Sequence, residues 1–261
     1  MTGYGRNGPQ ENSPAYDVNI QAACGLMEAT GTQESGPIRT GAPVLDYSTA
    51  LAAAFAISAA LFERSKSGKG AFIDVSMLET GLSLMSSAVT DFFKTGNVPR
   101  RRGNLANSRS PGAGSFPCKE GIISLGINEE AHFKSLAHAI ERSDWIDDPR
   151  FIDRAARLSN AQDLSTELEA ALRTKTARAW ELILQEAQVP SARLRSLPEA
   201  LESEQIKNRG YIQKLEGGLS VPTLPFRING VHSYKPKTRA PKLGEHTNEV
   251  LNWLESLGKT R

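Results

Sequence analysis

The stretch Gly41–Met77, GAPVLDYSTALAAAFAISAALFERSKSGKGAFIDVSM, limits most what this chain can fold into. From Tyr47 to Ser67 it contains neither Gly nor Pro and is rich in Ala and Leu. Ala is the best helix former and nothing in the run breaks the hydrogen-bond ladder, so the composition predicts one long helix. Between Leu51 and Phe62 the run is apolar nearly all round, which predicts a buried helix rather than a surface one. Ser65-Lys66-Ser67-Gly68-Lys69-Gly70 reads as its end, because cations suit the negative terminus and a glycine takes the left-handed cap. Ala71–Val75 then reads as a strand.

Asp46 stands where the helix begins. Its structural reading is a helix N-cap whose carboxylate accepts from first-turn N–H groups. Its functional reading is compatible with that one. The positive end of the helix dipole and the free donors favour the ionised carboxylate, and an ionised carboxylate is a competent nucleophile toward an activated acyl group. One aspartate does not decide between the two.

Composition narrows the classes. A chain of 261 residues suffices for one or two domains with a real core. A formal net charge of +2 is too weak a bias to indicate nucleic acid as a partner. Cys24 and Cys118 have no partners at metal-ligand spacing and make no disulfide framework, which predicts two reduced thiols. The longest apolar candidate, Ala50–Phe62, is shorter than the roughly 20 residues of a membrane span, and MTGYGRNGPQENSP lacks the apolar core of a signal peptide. The expectation is a cytoplasmic protein without a membrane partner. The chain opens directly in a Gly/Asn/Pro-rich loop.

Taken in order, Ser13-Pro14 reads as the cap and first position of a helix running through Ile20 to about Gly25. Met77–Phe93 reads as a helix from its apolar spacing. Pro99-Arg100-Arg101-Arg102-Gly103 lies in a polar linker; three arginines are a solvated loop or, alternatively, a phosphate contact. Ser110–Pro117 reads as a small-residue loop, in which Gly112 and Gly114 would allow close approach to a ligand. A strand at Gly121–Leu125 follows, then helices at Glu129–Ile140, Asn160–Thr174 and Thr176–Ala187, the last capped by Thr176. Val189–Leu194 is extended, Leu197–Ile206 is a short helix, Gly210–Leu215 and Gly218–Val221 form a hairpin, and a final helix reaches Leu257. His132 and His138 are not spaced as a metal pair, and no G-x-S-x-G, P-loop or G-x-G-x-x-G signature is present.

These pieces, in this order, resemble the class III CoA-transferase family, which contains formyl-CoA and carnitine CoA-transferases. The resemblance rests on Gly3-Tyr4-Gly5 with Gly8-Pro9, Pro14-Ala15-Tyr16-Asp17, Gln21-Ala22, Val44-Leu45-Asp46 before the long helix, and Ile73-Asp74-Val75-Ser76-Met77. It continues through Trp145 with Asp148-Pro149-Arg150-Phe151, Val189-Pro190, and Leu243-Gly244-Glu245-His246-Thr247. It implies an α/β fold: part of a Rossmann-like large domain (1–105) carrying the catalytic aspartate, a smaller α+β domain (106–200), and a C-terminal segment (201–261) returning to the large domain. It also implies that the family's N-terminal nucleotide-binding part is missing, so that the central helix exposes apolar surface.

The same resemblance makes Asp46 the nucleophile, first acylated as a mixed anhydride and then carrying CoA as a thioester. Tyr16, Asp17 and Met77 would be substrate-binding residues, and Gly112 and Gly114 would belong to a loop covering the aspartate. Tyr16 stands where related racemases place a histidine, and an ordinary phenol is too weak an acid–base group to replace it, which favours transfer. Ala50 departs from a frequent family glycine. The implied partners are an acyl-CoA and a small carboxylic acid, with a homodimer and, alternatively, a separate N-terminal polypeptide. No cofactor or metal is implied beyond coenzyme A as substrate. An acyl-CoA racemase and a non-catalytic fragment are the alternative readings.

Overall fold

The computed structural model describes residues 1–106, 108, 110–232 and 238–258. They divide into two compact units, Met1–Arg193 and Leu194–Arg261.

The first unit begins with α1 (Asp17–Ala23), α2 (Leu26–Ala29), and a two-residue hairpin of β1 (Gly31–Thr32) and β2 (Gly36–Pro37). The expected Ser13 cap gives way to Tyr16. Ser13 N–H closes a turn onto Gln10, and the Asn19 side chain accepts from Tyr16 N–H at 3.1 Å, fixing the helix start three residues later than expected.

The long helix, α3, runs from Val44 to Ser67 and ends on Gly68 in the left-handed conformation, with Arg64 and Lys66 in its last turn. Its expected burial is corrected: α3 buries only Leu45, Thr49 and Ala53, an i, i+4, i+8 stripe, while Leu51, Phe55, Leu61 and Phe62 are more than half exposed. The reason is geometric, since α1 and α4 (Met77–Leu84) pack against a single stripe of it. The expectation that no stretch could span a membrane is corrected as well. The most apolar 18 residues of the 24-residue α3 have a mean hydropathy of 1.6, so by length and composition it is long and apolar enough, a test that core helices also pass.

Ala71–Val75 is not a strand. The nearest pairing is one isolated parallel bridge, Thr2 to Ser76, just beyond its end, and a strand needs a paired neighbour to persist. The helix expected over Met77–Phe93 is two, α4 and α5 (Ser86–Thr95), which meet at Met85. There the Ser86 hydroxyl bonds the Ser83 carbonyl and Met85 N–H bonds Leu82, so local bonds replace the regular ladder. Ile20, Cys24 and Leu45 form the small core of this region. Gly81 is its close contact, since a Cβ there would lie 2.7 Å from Cys24 Sγ.

The larger core belongs to residues 113–193. β3 (Ala113–Pro117), β4 (Ile122–Gly126) and β5 (Ser191–Arg193) form an antiparallel sheet in the order β3-β4-β5, with Ser115 opposite Ser124 and Ser124 opposite Ala192. α6 (Glu130–Ala139) packs on α9 (Ala177–Glu186), α7 (Arg154–Ser159) packs on α8 (Ala161–Leu172), and α8 and α9 pack against the sheet to complete the core. α9 starts as the sequence predicts, with the Thr176 hydroxyl accepting from Ala179 N–H at 3.2 Å. Trp145 is wholly buried in a short 3-10 turn between Phe133 and Phe151, at centroid distances of 6.3 and 5.7 Å. Its indole N–H donates to Glu167, which also takes Arg142 and Arg150. Buried Glu181 accepts from Arg193 N–H at 3.0 Å and ties α9 to β5.

The second unit holds α10 (Leu197–Leu201), α11 (Glu204–Arg209), an antiparallel hairpin of β6 (Ile212–Lys214) and β7 (Ser220–Pro222), and α12 (Thr247–Gly258). The one helix expected at Leu197–Ile206 is thus two. The second has its own cap at Ser203, whose hydroxyl accepts from Ile206 N–H.

Candidate active site

The start of α3 is built from outside the helix. Its N-cap residue is Pro43, which has no side-chain acceptor, so Asp46 is not the cap but the third helical residue. The cap is supplied by α1. Asp17 Oδ2 accepts from Leu45 N–H at 2.7 Å, and Asp17 Oδ1 accepts from Gln21 Nε2 one helical turn away. Gln21 continues the network, its Oε1 accepting from Thr40 N–H at 2.9 Å and its Nε2 donating to Thr40 Oγ1 at 3.0 Å. Thr40 Oγ1 in turn donates to Ala42 O at 2.7 Å. Asp17 and Gln21 are buried. A buried carboxylate costs much less when both oxygens are hydrogen-bonded and a helix dipole points its positive end at it.

Asp46 itself is exposed to solvent. The donors around it are nearly all committed. Val44 N–H turns back to Ala42 O at 2.8 Å, Leu45 N–H goes to Asp17, and Tyr47 N–H reaches Pro43 O at 3.3 Å. Of the first four helical N–H groups, that of Asp46 is the one without a bond to a described residue. The first turn therefore keeps one unpaired N–H among the described residues, that of Asp46.

The other residues singled out from the sequence fall in two places. Tyr16 caps α1 immediately before Asp17, and its ring is 80% exposed. Met77 opens α4, donates its N–H to Thr2 O at 3.0 Å and packs on the Ile20, Cys24 and Leu45 core. Both therefore lie on the elements that pack around the base of α3. Gly112 and Gly114 lie on the other layer of the unit. The expected small-residue loop is half strand: Ala113–Pro117 is β3, and Gly114 is buried opposite Leu125. A Cβ on Gly114 would stand 3.2 Å from Asn104 O, which gives this glycine a packing reason. Gly112 has a φ of +85° in the turn before the strand, a conformation that favours glycine.

Arg101 forms an ion pair with Glu28, Arg102 bonds Ala106 O at 3.5 Å, and Gly103 N–H bonds Gly31 O at 2.7 Å. The bonds of Arg101 and Gly103 fasten the linker to α2 and β1, so Arg101 is an intramolecular tie rather than part of a solvated loop. Sequence reasoning missed Thr40 and the structural use of Gln21. Gln21 carried a signal, its i+4 spacing from Asp17; Thr40, in a loop, carried none.

A family profile described as CoA-transferase family III matches residues 1–247. The chain is 33% identical over 245 residues to an acetyl-CoA:oxalate CoA-transferase of Acetobacter aceti, covering 94% of this chain and 62% of that protein. It is 27% identical over 255 residues to a succinyl-CoA:glutarate CoA-transferase of Mus musculus, covering 96% of this chain and 58% of that protein. The chain thus spans about three fifths of the length of these relatives. Among solved structures, a CaiB/BaiF family protein of Brucella suis superposes with a TM-score of 0.83 at 25% identity, covering 97% of this chain and 66% of that one.

Proposed function

The chain belongs to CoA-transferase family III, and we propose from that premise that it moves CoA from an acyl-CoA to a small carboxylic acid through Asp46. The observation that carries the proposal is an exposed carboxylate at the N-terminus of a long helix, with its own N–H free beside it. The Asp46 carboxylate attacks the donor thioester carbonyl, forming an aspartyl anhydride as the C–S bond breaks and CoA thiolate leaves. The thiolate attacks the aspartyl carbonyl, releasing the donor acid as its carboxylate and leaving CoA on Asp46 as a thioester. The acceptor carboxylate then attacks this thioester, giving a new anhydride and thiolate. Attack of that thiolate on the acceptor acyl carbonyl yields the new acyl-CoA and restores Asp46. Each step exchanges one energy-rich acyl derivative for another, which is the purpose of covalent catalysis here.

Each tetrahedral intermediate carries an oxyanion that needs oriented donors, and the free Asp46 N–H is the candidate within the first turn. The names of the relatives supply probe pairs: acetyl-CoA with oxalate, and succinyl-CoA with glutarate. Incubation with each acyl-CoA, trapping with hydroxylamine and peptide mass spectrometry should place an adduct on Asp46. Asp46→Ala should lose about a thousandfold or more in turnover, the scale seen when a nucleophile is deleted. Unchanged turnover in that variant overturns the reading. A homodimer belongs to the same proposal, and light scattering of the purified protein tests it.

A further inference from the structure

We infer that Asp17 is the positioning residue for Asp46: by holding the Leu45 N–H it fixes the first turn of α3 and so sets where the nucleophile stands. This rests on the reading of Asp46 as nucleophile. The need for such a residue follows from the sequence around the helix start. A helix leaves its first N–H groups unsatisfied, and Pro43 at the cap position has no side-chain oxygen to offer them. Asp17, 28 residues earlier, supplies the missing acceptor, and it does so at the residue immediately before Asp46.

Asp17 cannot drift. Gln21 grips its second oxygen, and Gln21 is in turn bonded at both ends of its amide to Thr40, in the loop that leads into α3. Thr40 Oγ1 reaches Ala42 O, two residues before Val44. The loop and the helix start are thus both referenced to α1. With both oxygens engaged and its side chain buried, Asp17 is poorly placed to receive a substrate carboxylate, which it would also repel. Removing it leaves the Leu45 N–H without a partner and frees the first turn to fray. A displacement of about 1 Å at a reacting group is enough to cost about a hundredfold in rate.

The test compares wild type, Asp17→Ala, Asp17→Asn and Asp46→Asn, using acetyl-CoA as the probe. Three quantities are read: the single-turnover rate of the hydroxylamine-trapped adduct, acetyl-CoA affinity by calorimetry, and thermal stability. Asp17→Ala should slow adduct formation by about ten- to a hundredfold while affinity stays within about twofold. Asp17→Asn keeps an oxygen for the Leu45 N–H but sets an amide donor against Gln21 Nε2, so its adduct rate should fall between those of wild type and Asp17→Ala. An unchanged adduct rate in Asp17→Ala, with or without a lower melting temperature, overturns the inference and leaves the nucleophile standing. So does weakened binding with an unchanged rate, which would return Asp17 to the substrate. Equal slowing in both Asp17 variants also overturns it, because the Leu45 bond would then not be what matters. Turnover retained in Asp46→Asn removes the nucleophile reading and this inference together. If Asp17→Ala fails to fold, Asp17→Glu, which displaces the acceptor by one methylene, should show the slowed adduct, and a wild-type rate in it overturns the proposal.

Discussion

Trp145 and Phe55 are large aromatic residues in the same unit with opposite fates: Trp145 is wholly buried and Phe55 is 78% exposed. Around Trp145, a three-stranded sheet and three helices close on one another, so that Phe133, Phe151, Leu164, Leu168 and Trp180 reach nearly zero exposure. Around α3, α1 and α4 are the elements that pack most closely among the described residues, and the buried hydrophobic core reduces to Ile20, Cys24 and Leu45. The first region is held by apolar area, the second by polar bonds at one end of a helix. Helix propensity makes α3 a helix, but packing decides what it buries, and these are separate properties of one sequence.

Four substitutions break or sharpen this contrast. Trp145→Ala should cost the most, about 3–5 kcal/mol, because it empties a closed aromatic core; chemical denaturation measures it. Leu45→Ala should cost about 2–3 kcal/mol, the lower part of the range for a buried leucine, since a three-residue core relaxes more easily. A loss equal to that of Trp145→Ala would show that the two cores are equally rigid.

Glu167→Gln should cost about 1–2 kcal/mol by weakening the bonds from Arg142, Arg150 and Trp145. Burial pushes the Glu167 carboxyl up, but those three donors outweigh it and hold the group below its usual range. The stability this contributes is full above the ordinary carboxylate value of about 4.5 and is lost as pH falls through the lower value of the folded state. The acid limb of the stability curve should therefore be shallower in Glu167→Gln. Phe55→Ser should be the mildest, within about 0.5 kcal/mol, because the ring buries little. A cost above about 2 kcal/mol in the purified protein would mean that the apolar face of α3 is covered in solution.

Local grammar was legible where a segment carried its own instructions. Thr176 capping α9 and the hairpin around Gly217-Gly218 required only near neighbours. Ala71–Val75 has strand composition, yet composition cannot supply a paired neighbour. Apolar spacing carried the helix prediction straight through Met85, because periodicity does not register a serine hydroxyl bonding the backbone. At the candidate site, Asp46 stood out at the start of a long apolar run, but only the family resemblance gave it a role, and its place as the third helical residue was not readable. The work of Asp17 was not, since its partner is a backbone N–H 28 residues away and no side-chain pattern marks such a bond. Gly114 was read for ligand access, whereas its neighbours Asn104 and Leu105 give it a packing role.

The meeting of Gly81 with Cys24 leaves no slack between α1 and α4. A maleimide or an oxidant can reach that sulfur only after the two helices have parted. The rate at which Cys24 is labelled is therefore a built-in clock for breathing of the scaffold beneath Asp46, and it can be read without any substrate. Cys118, sealed in the larger core, supplies a second clock in the same molecule against which the first can be timed.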